Sequence, residues 1–132
     1  VLSNNSTYST LSLFLLLEEN LVKDDNEMIS FFDHVIENNK FEEELKNLIV
    51  LKKAIFQSNF SSEVELLDTT KSIINSDSIW KPHALILIGD YFAAQKQFVK
   101  AKEFYSKVLS TRNLNQTLYD RTNSRLAIIQ NE

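Results

Sequence analysis

One glycine, Gly89, and one proline, Pro82, are all that the 132 residues contain. That scarcity limits the fold more than any motif does. β-Sandwiches and hairpin-rich barrels use these two residues at turn after turn, because glycine supplies positive φ and proline pre-sets the first turn position. A chain with one of each is built instead from helices joined by polar links. Its length suits one ordinary domain. With 43% hydrophobic and 24% charged residues it can bury a core, so wholesale disorder is ruled out.

The apolar residues agree. They recur at intervals of three and four in Leu45, Leu48, Leu51 and Ile55, in Leu85, Ile88 and Phe92, and in Leu118, Leu126 and Ile129. Polar breaks between the runs carry start signals: Asp24 with Glu27, Asn39 with Glu42, and Ser62 with Glu65 are capping-box pairs, and Pro82 suits a first helical turn. The spacing predicts seven helices, at 6–22, 25–38, 41–57, 61–75, 82–95, 98–111 and 115–131. Short links return each helix alongside the last. The longest apolar stretch, Leu11 to Leu17, contains Ser12 and stops at Glu18, well short of the ~20 residues that span a bilayer. Because the chain begins at Val1, any membrane anchor is expected upstream.

Internal repetition is also visible. Leu48, Leu51 and Ile55 recur 37 residues later as Leu85, Ile88 and Phe92, and the Phe31 to Ile36 segment recurs 73 residues later as Phe104 to Leu109. The expected architecture is an all-α helical-hairpin solenoid in one domain, 1–132. It comprises three hairpins, about 6–38, 41–75 and 82–111, and a C-terminal capping helix at about 115–131 that finishes the open end.

Residues 82–113 resemble a tetratricopeptide repeat. Leu85, Ile88-Gly89 and Phe92 match the first helix of that pattern, and Ala101 and Tyr105 match the second. Leu85 replaces the usual Trp, Lys96-Gln97 replaces a Gly-containing turn, and Asn113 replaces the usual Pro. The middle repeat carries Lys52 and Asp68 where Gly and an aromatic would sit. The whole arrangement, with Leu118-Tyr119-Asp120-Arg121 and Arg125-Leu126-Ala127 in the last helix, resembles the tetratricopeptide-like domain of bacterial ancillary Sec-translocon subunits and their cell-division-coordinator relatives. The resemblance implies an inner-membrane protein whose domain faces the periplasm.

Chemistry-bearing constellations are few. His34 and His83 are the only histidines and no cysteine accompanies them, so no metal site is expected. Asp24 to Glu27 lacks the alternating ligands of a calcium loop, and Glu42-Glu43-Glu44 reads as a first helical turn favoured by the helix dipole. There is no phosphate loop and no nucleophile elbow. A net charge of −4 offers no footprint for nucleic acid, and Lys96, Lys100, Lys102 and Lys107 read as a solvated face. No enzyme activity and no cofactor are expected.

What remains is a non-catalytic protein-interaction module, a scaffold or adaptor. Stacked hairpins line a concave side with the first helix of each pair, and such surfaces bind extended peptides or partner helices. The residues of 82–97 outside the packing stripe, and thus the expected groove contacts, are His83, Ile86, Leu87, Asp90, Ala94 and Gln97. That set reads as apolar and acidic, favouring apolar or basic segments. Asp90→Lys is expected to weaken capture without changing stability. The partner is a protein or peptide rather than nucleic acid, with membrane contact only through an upstream anchor. The alternative is structural self-association, a homodimer formed through the apolar run Leu11 to Val22.

Overall fold

The computed structural model describes residues 24–131. These form six helices: α1 (Asp25–Glu37), α2 (Glu43–Gln57), α3 (Glu63–Ile74), α4 (Lys81–Ala94), α5 (Phe98–Leu109) and α6 (Gln116–Gln130). Every regular element among the described residues is a helix, so this region is all-α. Each of the six falls within two residues of its predicted bounds. The predicted helix over 6–22, and with it half of the first hairpin and the run Leu11 to Val22, lies outside the described residues.

The starts are set by side-chain caps. The Asp24 carboxylate accepts from the amide of Asn26, Ser62 Oγ from that of Glu65, and the Asn115 side chain from that of Leu118. The second start differs from expectation. Asn38 ends α1, and Asn39 turns back to donate to the carbonyl of Val35, so Asn39 caps nothing ahead of it. Glu42 caps α2 instead, accepting from the amides of Glu44 and Leu45. Pro82 sits in the first turn of α4, where its missing N–H costs nothing.

The capping residues keep a register. Asp24 and Glu42, Ser62 and Trp80, and Gln97 and Asn115 flank consecutive helix starts, and each pair is 18 residues apart. A buried stripe follows from it, at the fourth, eighth and eleventh residues after the cap: Met28, Phe32 and Val35 in α1, Leu66, Thr70 and Ile73 in α3, Ala101, Tyr105 and Val108 in α5. All nine are at most 2% exposed. This corrects the sequence alignment of the middle segment, which set Asp68 against Tyr105. Asp68 is exposed, and Thr70 takes the aromatic's place, its buried hydroxyl satisfied by donation to the carbonyl of Leu66.

Each helix packs on its neighbours in sequence, and α4 additionally touches α2 on one side and α6 on the other. The α4–α5 contact is the closest because of Gly89. A Cβ there would stand 2.5 Å from Cε1 of Tyr105, so only glycine lets that ring come this close to α4. The main core cluster surrounds this point, with Ala54, Leu66, Ile88, Phe92, Ala101, Tyr105 and Ile129. The turn after α4 has the helical reversal that usually takes glycine, but Lys96 occupies it at φ 61°. A left-handed lysine carries a strain of roughly 1 kcal/mol.

Candidate functional site

Because α2, α4 and α6 lie side by side, their outward faces form one surface. Leu51 and Ile55 of α2, His83, Ile86, Leu87 and Asp90 of α4, and Arg121 and Arg125 of α6 line a groove of about 210 Å³. Four of the six sequence-predicted residues thus converge. Ala94 and Gln97 do not join them: Ala94 is the exposed last residue of α4 and Gln97 caps α5. Within the groove the roles divide. Ile86 is only 6% exposed and packs in a cluster with Leu85, Val108 and Leu118, so it is floor. Leu87 is half-buried beside Leu51, Ile73 and Ala84. Ile55, at 47% exposed, is the apolar group that faces solvent.

A polar fastener runs along one wall. The Tyr105 hydroxyl donates to Oδ1 of Asp90 at 2.5 Å, and Arg125 Nε donates to the same oxygen at 2.7 Å. The single carboxylate therefore joins α4, α5 and α6. Burial, reinforced by the hydrogen bond and charge of Asp90, pushes the Tyr105 phenol above its ordinary pKa and keeps it a donor. Arg125 uses only Nε in this bond. Arg121, one helical turn away, is exposed and has no carboxylate within ion-pair distance among the described residues. Its neighbour Asp120 accepts instead from Gln116.

Two arginines against one aspartate give this groove a positive balance. The sequence expectation of an acidic groove is corrected accordingly: α6, which the sequence reading treated only as a cap, brings both cations to the face. His83 adds no charge, since burial, and then the Arg121 guanidinium, hold its pKa below the ordinary histidine range. Its Nδ1 is buried without a hydrogen-bond partner, and its ring lies 5.3 Å from that of Trp80.

Glu44 is a residue whose position the sequence did not reveal. Beyond sitting in the first turn of α2, it accepts from the Ser78 hydroxyl at 2.7 Å, from the amide of Ile79 at 2.6 Å and from Asn47. Its backbone carbonyl takes the indole N–H of Trp80. These bonds, the Ile79 amide foremost, lower its pKa. The α3–α4 link is thereby clasped to α2, which fixes the approach of α4 and hence one edge of the groove.

Two larger concavities, about 480 and 450 Å³, lie on the opposite side, between α3 and α5. They are floored by Leu67, Ile74, Leu85 and Phe104, and their cations are lysines on long stems. Lys107 already lies 4.6 Å over the Phe104 ring and pairs with Glu103. That side therefore has no fixed polar geometry comparable to the Asp90 fastener. No helix among the described residues is long and apolar enough to cross a membrane, and those residues contain no cluster of metal-ligating side chains. Compared with protein-family models, with curated proteins and with solved structures, the chain gives no match.

Proposed function

We propose that this protein is a non-catalytic interaction module that holds a segment of another protein in the groove between α2, α4 and α6. The observation that carries this reading is the groove's construction. Three consecutive alternate helices contribute to it, its floor is apolar, and its wall is held by the Asp90 fastener rather than by mobile side chains. The recurring spacing of the caps, 18 residues within each of the pairs Asp24–Glu42, Ser62–Trp80 and Gln97–Asn115, supports reading the helices as a tandem tetratricopeptide-like solenoid closed by α6. Its likeness to the translocon-subunit family rests on the sequence motifs alone. On that likeness the scaffold would work at the bacterial envelope, facing the periplasm from an anchor upstream.

A photo-crosslinking residue tests the working face. Placed at Ile55 it is expected to form discrete adducts in cells, and placed at Val99, which is 83% exposed on α5, it is expected to form none. Equal labelling from both positions refutes the proposed face.

Self-association remains the second reading for one reason. Val64 and Val99, 76% and 83% exposed, are the sequence neighbours of Glu63 and Lys100, whose ion pair at 3.2 Å joins α3 to α5. The two valines are thus exposed apolar side chains that flank an α3–α5 ion pair, a patch a second copy could cover. Sedimentation over a hundredfold concentration range tests it: a monomer throughout excludes a dimer through that patch.

A further inference from the structure

The groove's charge says what kind of segment it takes. Arg121 and Arg125 stand four residues apart on α6, one turn above the other, and like charges at that spacing repel. One of the two is satisfied by Asp90 through Nε, while the other has no carboxylate among the described residues. Among the described residues, Asp90 is the only acidic one that lines the groove. On a chain of net charge −4, this face carries positive charge against the overall trend. Away from the arginines, Leu51, Ile55 and Leu87 offer an apolar shelf on α2 and α4.

We infer that the ligand is an extended peptide with an apolar side chain for the α2–α4 shelf and, some residues along, an Asp or Glu for Arg121. The carboxylate sits on the α6 side, where it relieves the repulsion between the two guanidiniums and accepts donors that fit a carboxylate in a forked geometry. The apolar side chain covers Ile55. Helix axes 8–10 Å apart put α2 and α6 about 16–20 Å from each other across α4. At roughly 3.3 Å per extended residue, the apolar and acidic positions are about five residues apart. Basic segments, which the sequence alone favoured, meet two arginines here and are rejected. This inference rests on the interaction-module reading, and it is framed so that the two fail differently.

The test is selection of random 12-residue peptides displayed on phage against the full chain, followed by affinity measurement on the enriched peptide. The expected consensus pairs an aromatic or branched aliphatic residue with Asp or Glu about five positions away. Arg121→Glu is then expected to weaken that peptide at least tenfold. Arg112→Glu, the same change of charge on an exposed residue outside the groove, is expected to leave affinity within twofold. Both variants should melt like the parent, because neither side chain makes an ion pair among the described residues. A basic consensus overturns the inference while leaving the interaction module standing, as does an acidic peptide indifferent to Arg121→Glu. No enrichment at all overturns both.

Discussion

Replacing Gly89 by alanine sets two effects of known size against each other. Alanine in a helix interior is favoured over glycine by about 1 kcal/mol, so at an exposed position the change stabilises. Here the added methyl would stand 2.5, 2.7 and 3.1 Å from Cε1, Cδ1 and Cζ of Tyr105. That ring cannot swing away cheaply, since it is 1% exposed and its hydroxyl is fastened to Asp90. Overpacking of this kind costs roughly 1–3 kcal/mol, which exceeds the propensity gain over most of its range. The expected net loss is up to about 2 kcal/mol, or a melting midpoint lower by up to roughly 8 °C for a chain of this size. Urea denaturation of Gly89→Ala measures it. The same substitution in a Tyr105→Leu background isolates the cause: with the ring gone, the methyl should be neutral or stabilising, giving a coupling energy of about 1–2 kcal/mol. Stabilisation by Gly89→Ala alone would refute the close approach of α4 and α5, and with it the geometry that orients Asp90.

Asp90→Lys should destabilise, contrary to the expectation from sequence, because it strands the buried Tyr105 hydroxyl at a cost of about 1–3 kcal/mol; the half-exposed Arg125 pair adds little. Chemical denaturation reads this directly. Glu44 has a pKa below its ordinary value in the folded chain, so its contribution is fully present above the ordinary glutamate range and is lost as pH falls through that range toward its folded value. Glu44→Gln is therefore expected to lower the urea midpoint at neutral pH and to flatten its dependence on pH between about 3 and 6. His83, also held below its ordinary value, favours the folded state while neutral and penalises it as pH falls through the ordinary histidine range, where the unfolded chain takes up the proton first. Trp80 is the only tryptophan and its ring lies 5.3 Å from His83, so its fluorescence should titrate with a midpoint below that of free histidine; His83→Gln should abolish the step.

The helices were legible because their signals are local. Caps at Asp24, Ser62 and Asn115 sit within three residues of the amides they serve, and Gly89 and Ala101 declare a close contact by size alone. The middle segment is not legible by residue type, because a fixed 37-residue spacing sets the exposed Asp68, not the buried Thr70, against Tyr105. What α1, α3 and α5 share is the distance from cap to buried stripe, which a polar Thr70 can fill as well as an aromatic. The groove was half legible. His83, Ile86, Leu87 and Asp90 belong to one helix and could be read from one wheel. Arg121 and Arg125 reach the same face only through the packing of α6 on α4, and Glu44 meets Ser78 only across 34 residues of chain. Both are products of tertiary arrangement, which is why the sign of the groove's charge came out reversed.

The neighbours of α4 have a consequence for how the chain opens. It touches α2, α3, α5 and α6, so its release requires each of these adjoining helices to part. Amide protons of Ile88 to Phe92 should therefore exchange only through global unfolding. The groove between α2, α4 and α6 takes four of its lining residues from that helix, so a ligand would meet a surface already formed rather than one it must order.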